Sequence, residues 1–237
     1  MFEATTPTAE DAHFDHIYKK WDAAWERFGE RPRLEGVNFL DFGCGYGAFS
    51  VRAAELGAHV VGLDIDSDSI ACAKSIATRR FPDLDIVYVE TPIEQLGGAF
   101  DVIMTNEVLE HVLDLPQCLE AVRNRLRVGG TFYAGWGPLW YFPTGGHHLT
   151  LKIANLPIPW SHLVKPIALS QAGKGRSTFN YLRPSDYERI VGACGMEVVS
   201  WRVNAGRHPV YRALRVAARV APTPFTANVY AVLRKPA

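Results

Sequence analysis

Apolar positions change period several times along the chain, and each change marks an element. Between Ala9 and Phe28, the residues Phe14, Ile17, Tyr18, Trp21 and Trp25 recur three and four apart. That spacing predicts one helix carrying an aromatic stripe. From Val37 onward, short apolar runs rich in β-branched residues alternate with helical patterns. Strands are expected over 38–42, 59–64, 85–89, 100–106 and 131–135, and helices over 48–56, 68–79 and 115–126. Asp66 or Ser67 is placed to cap the second of these helices. Strands and helices alternating at this spacing build βαβ units, hence an α/β, three-layer sandwich with a mostly parallel sheet.

The alternation breaks at residues 136–184, which are rich in Gly, Pro, Trp, His and Tyr. A stretch that long without periodicity carries function or hides short elements. A last α/β section follows: helix 185–192, strand 197–203, a basic helix around 210–220 and strand 228–233. No internal repeat interrupts the chain. We therefore expect one domain over 1–237, with 1–36 as an N-terminal helical cap and 136–184 as an irregular substrate-lid insertion after the fifth strand.

Composition narrows the classes. Among 237 residues, 25 basic and 25 acidic side chains cancel, which gives no global pull toward nucleic acid or anionic lipid. Arg212, Arg215 and Arg219 share one face of the basic helix, and with zero net charge they read as an ordinary surface helix. The four cysteines are too scattered for a zinc or redox pair. With no signal-like or membrane-spanning run, the expectation is a cytoplasmic protein, neither inserted in a membrane nor bound to nucleic acid, acting as a monomer or homodimer.

The chemistry concentrates at Asp41-Phe-Gly-Cys-Gly-Tyr-Gly47, a strand running into a glycine turn and a helix start. Gly43, Gly45 and Gly47 allow a ligand to approach the backbone. Read with Ala48, and with Asp64 about 20 residues beyond Gly43, the spacing also fits a dinucleotide. Asp41 separates the two. A carboxylate ahead of the turn repels a pyrophosphate but suits the ammonium of S-adenosylmethionine.

Four stretches in order carry a resemblance: Asp41–Gly47, Val60–Asp66, Asn106–Val112 and Leu126–Phe132. The chain resembles a class I, seven-stranded S-adenosylmethionine-dependent methyltransferase of the small-molecule type. The resemblance implies strand order 3-2-1-4-5-7-6 with the last strand antiparallel. It implies Asp64 on the ribose, Ile65 on the adenine face and Asn106 beside the methionine portion, with Gly43, Cys44 and Gly45 at the turn. Tyr18 of the aromatic stripe is a further candidate to cover the cofactor. Where the family often has an acid after the third strand, this chain has Pro92-Ile93, leaving Thr91 or backbone to read the adenine amino group.

The methyl acceptor is expected at the carboxyl edge of the sheet, where residues 136–149 and 158–162 emerge. They resemble a methyltransferase subgroup with a Gly-His-His and a Pro-Trp-x-His element. An oxygen acceptor needs a base, and His147 and His148 are the first candidates. His111, paired i,i+4 with Glu107 if that segment is helical, is another. Nitrogen and carbon acceptors stay open, and no metal is expected. The aromatic residues favour a small amphipathic or aromatic acceptor. The alternatives are an NAD(P)-dependent oxidoreductase using the same turn and a non-catalytic S-adenosylmethionine-binding module.

Overall fold

The computed structural model describes residues 8–145, 152–153, 156–160, 163 and 179–237. Its strands are β1 (Asn38–Phe42), β2 (His59–Asp64), β3 (Ile86–Glu90), β4 (Phe100–Asn106), β5 (Leu126–Trp136), β6 (Glu197–Val203) and β7 (Val229–Arg234). They form a single sheet in the order β3-β2-β1-β4-β5-β7-β6. β1 to β5 run parallel, and β7 is antiparallel to both β5 and β6. The expected strand order and the reversed last strand are both present. A short antiparallel ladder joins Lys152–Ile153 to Leu156–Pro157.

The helices are α1 (Ala9–Tyr18), α2 (Trp21–Phe28), α3 (Ala48–Glu55), α4 (Ser67–Arg80), α5 (Leu115–Arg125), α6 (Pro184–Gly192) and α7 (Pro209–Val220). Residues that alternate along the strands divide the core in two. Leu40, Ile103, Phe132 and Leu233 face α5 and α6, with Leu119, Val122, Tyr187 and Val191. Phe39, Val102, Tyr133 and Val232 face the opposite side, with Trp21, Trp25, Phe28 and Phe49.

Two local expectations need correction. The single N-terminal helix is two, broken at Lys19-Lys20. Phe14 packs with Val51 and Ile76, whereas Trp21 and Trp25 pack with Phe49 and Tyr133. A straight helix cannot serve both clusters. Strand β5 also begins at Leu126, not Thr131, with its register shifting between Phe100 and Val102 of β4. Gly130 permits this, since a Cβ there would sit 2.9–3.1 Å from three backbone oxygens. Of the two capping candidates, Asp66 caps α4, accepting the Ser69 N–H at 3.0 Å.

Candidate functional site

At the carboxyl edge of the sheet, β1 gives way to a turn through Gly43, Gly45 and Gly47, with φ of 76°, 51° and 80°. L-residues with side chains rarely adopt such angles. A Cβ on Gly43 would run into Val108 and one on Gly47 into Tyr88, whereas Gly45 faces open space. The turn is tied to the end of β2. Asp64 Oδ2 accepts the Gly45 N–H at 2.9 Å and Oδ1 accepts the Asp66 N–H at 3.0 Å. Ile65 next to it is 74% exposed, an apolar surface left open beside a fixed carboxylate.

A pocket of about 210 Å³ opens on this turn, lined by Asp41, Gly43, Cys44, Gly45, Tyr46, Asn106 and Glu107. His13, Phe14 and Ile17 of α1 line its other side, and the His13 ring stands edge-on to Tyr46 at 5.1 Å. The larger groove of about 1170 Å³, between α2 and α7, contains no residue of the glycine turn.

The pocket asks for a cation. Asp41 is buried, and burial pushes its carboxyl up to about 7. The Ser50 hydroxyl, donating at 2.7 Å, pulls it partly back, and the nearby Asp64 charge pushes it further up. Asn106 Oδ1 is buried without a hydrogen-bond partner. A ligand ammonium supplies the missing charge to one and the missing donor to the other. The donor set therefore fits the amino-acid end of S-adenosylmethionine, and a pyrophosphate would meet a buried carboxylate.

Tyr18 stands outside this pocket. Its hydroxyl donates to the Glu55 carboxylate at 2.7 Å, and its ring stacks on Phe81. Cys44 is buried beneath the turn, which pushes its thiol upward. Thr91 spends its N–H on the Asp64 carbonyl at 3.1 Å, and Ile93 is buried in the core.

The segment carrying Glu107 and His111 is not an α-helix, so the pairing that a helix would give them does not arise. Glu107 has φ 60°, and its N–H donates to the Gly135 carbonyl at 2.8 Å. Only Leu109–His111 form a short 3₁₀ turn. The chain leaving β4 must reverse at once, and Glu107 takes the left-handed conformation that allows it, at a cost of about 1–3 kcal/mol. Glu107 lines the pocket at the glycine turn, while His111 packs on Phe179, ring centres 4.8 Å apart. Phe179 meets Trp140 at 5.0 Å, and Trp140 meets Tyr181 at 4.8 Å. Arg183 lies over the Tyr141 ring at 5.7 Å.

Asn180 fixes this wall. Its Nδ2 donates to the carbonyls of Leu109 (2.8 Å) and Val112 (3.1 Å), and its Oδ1 accepts from Tyr187 at 2.8 Å. Neither Asn180, Ser50 nor the α1 residues His13, Phe14 and Ile17 stand out in the sequence as site residues. Only the α1 stripe hinted at them, one turn too late at Tyr18. His147 and His148 lie outside the described residues. Among the described residues no cluster of three His, Cys, Asp or Glu could hold a metal, and no helix is long and apolar enough to cross a membrane.

Residues 34–135 match the family described as "Methyltransferase domain". The ubiquinone biosynthesis O-methyltransferase of Rhizobium rhizogenes is 32% identical over 187 residues, 76% of this chain and 69% of that protein. Its namesake in Brucella ovis is 38% identical over 122 residues, 50% of this chain and 48% of that protein, about half the relative's length. A solved S-adenosylmethionine dependent methyltransferase from Mesorhizobium loti superposes with a TM-score of 0.66 at 20% identity, covering 94% of this chain and 100% of that one. Magnesium protoporphyrin IX methyltransferase from Synechocystis, with bound SAM, superposes at 0.55 and 15% identity, covering 94% and 78%. These two structural likenesses speak for the fold.

Proposed function

The chain belongs to the class I S-adenosylmethionine-dependent methyltransferase family, and from that premise we propose that it methylates a hydroxyl oxygen of a small aromatic or amphipathic acceptor. The observation that carries the oxygen assignment is the 32% identity to an O-methyltransferase over most of the chain. S-adenosylmethionine, when bound, supplies an electrophilic methyl group. Asp41 and Asn106 receive its ammonium, Asp64 the ribose hydroxyls and Ile65 the adenine face. Gly43, Cys44 and Gly45 let the backbone come close. α1 closes the pocket against water through His13, Phe14 and Ile17.

On the acceptor side, Trp140, Phe179 and Tyr181 present an aromatic wall with His111 against it. His111 takes the proton of the acceptor hydroxyl and Glu107 orients the acceptor, with His147 and His148 as competing bases. Residues 1–36 act as the cofactor cap and 136–184 as the acceptor-side insertion of a single unit. Labelled S-adenosylmethionine offered with a panel of phenols, catechols and amines tests the reading. Methyl ethers with release of S-adenosylhomocysteine are expected, and products methylated only on nitrogen or carbon overturn it. His111→Ala should lower kcat by roughly 10²–10⁴ with cofactor affinity unchanged. Full activity in that variant, with loss in His147→Ala/His148→Ala, moves the base to the histidine pair.

A further inference from the structure

Charge is balanced over the whole chain but not along it. From residue 198 to the C-terminus there are seven basic residues and no acidic one, so the preceding part is net negative. Three of those seven lie on α7, which presents three distinct faces. Ala218 is buried, with Tyr211 and Leu214 half-buried, and these hold the helix to the protein. Val210, Val216 and Val220 point outward, 55%, 61% and 88% exposed, with exposed Ala213 between them. Arg212, Arg215 and Arg219 flank that apolar stripe.

Arg215 donates to the carbonyls of Asn204 (2.8 Å) and Gly206 (3.3 Å) and so anchors the helix start. In the neighbouring groove, Arg31 and Arg207 are held by Asp22 and Glu26. Arg212 and Arg219 form no ion pair among the described residues. The outward valines are poor helix formers and leave apolar surface in water, a cost with no return in the isolated protein.

We propose that α7 docks this protein on an anionic bilayer surface, lying in the headgroup region with the valine stripe toward the acyl chains and Arg212 and Arg219 on lipid phosphates. A helix with an apolar face, an arginine flank and no carboxylate matches that boundary. Nucleic acid would use the arginines and leave the valines wet. A second copy would bring the same arginine flank to face this one, and the acids nearest α7 are already engaged, Asp22 by Arg31, Glu26 by Arg207 and Glu30 by the Tyr133 hydroxyl. The helix also starts at the acceptor edge of the sheet. Asn204, which directly follows β6, accepts the Ala227 N–H at 2.7 Å, and the Ala227 carbonyl accepts from Leu139, in the loop after β5, at 2.8 Å. Docking through α7 turns that edge toward the bilayer. The inference does not depend on which atom of the acceptor is methylated.

Co-sedimentation of the full-length chain with vesicles tests it, using phosphatidylcholine alone and phosphatidylcholine mixed with phosphatidylglycerol. The wild type should bind the mixed vesicles, lose that binding in high salt, and ignore neutral ones. Arg212→Gln and Arg219→Gln should each weaken binding roughly fivefold. Val216→Asp/Val220→Asp should abolish it, with thermal melting and S-adenosylhomocysteine affinity unchanged because both positions are exposed. No binding to anionic vesicles at low salt, or undiminished binding by the valine variant, overturns the proposal. So does sedimentation velocity showing that the valine variant splits a dimer.

Discussion

Asp41 carries a buried carboxyl that, among the described residues, accepts a hydrogen bond from the Ser50 hydroxyl and meets no cation, and burial pushes it up to about 7. An ammonium placed beside it favours the ionised form, so cofactor binding expels a proton wherever the free protein still holds one. Binding therefore strengthens as pH rises toward about 7 and levels off above it. Calorimetry with S-adenosylhomocysteine should show affinity falling roughly tenfold per pH unit below about 7. In Asp41→Asn that dependence should vanish, and affinity near pH 8 should drop by roughly ten- to a hundredfold. A wild type that binds equally well at pH 5.5 and pH 8 would remove Asp41 from the ammonium site. The acid itself was readable from the sequence, because a carboxylate ahead of a glycine turn is a local pattern. Its burial and its bond to Ser50 were not. Ser50 reaches Asp41 only because α3 folds back over β1, and that depends on packing rather than on spacing.

Elements were legible where burial imposed a period. β1, β2, β4 and β6 lie at their predicted residues, since each is a run with apolar side chains meeting the core. The break at Lys19-Lys20 was hidden because both halves keep helical spacing, and only the two separate clusters they fill divide them. The helix on which the Glu107–His111 pairing depended does not form for a related reason: the reversal after β4 is set by the Gly135 carbonyl, 28 residues further along the chain. The 3₁₀ turn that results depends on Asn180, which bonds two of its carbonyls and the Tyr187 hydroxyl. Asn180→Ala leaves Tyr187 buried without that partner and should cost about 2–3 kcal/mol in urea unfolding. It should raise the acceptor KM while S-adenosylhomocysteine affinity stays near wild type. A variant with unaltered KM would show that the wall carrying Phe179 does not form the acceptor site.

At the scale of the whole molecule, the fold keeps two carboxyls it would be cheaper to have neutral. Glu110 is 1% exposed; Oε1 accepts the Gly137 N–H at 3.0 Å, Oε2 has no partner, and burial pushes the group up to about 8. Asp41 is raised for the same cause. In both, the folded state holds its proton more tightly than the unfolded chain. Their stabilising contribution is complete below the unfolded values near 4 and is lost as pH rises through about 7 to 8. A ligand ammonium beside Asp41 would offset this by supplying a cation, and nothing comparable reaches Glu110 among the described residues. Glu110→Gln keeps an acceptor for Gly137 without the titrating proton. Relative to wild type, this variant should therefore gain about 3–4 kcal/mol between pH 5 and pH 8, read as a flatter plot of unfolding free energy against pH. A parallel pair of curves would mean that Glu110 titrates alike in the folded and unfolded chains, and that its burial carries no electrostatic cost.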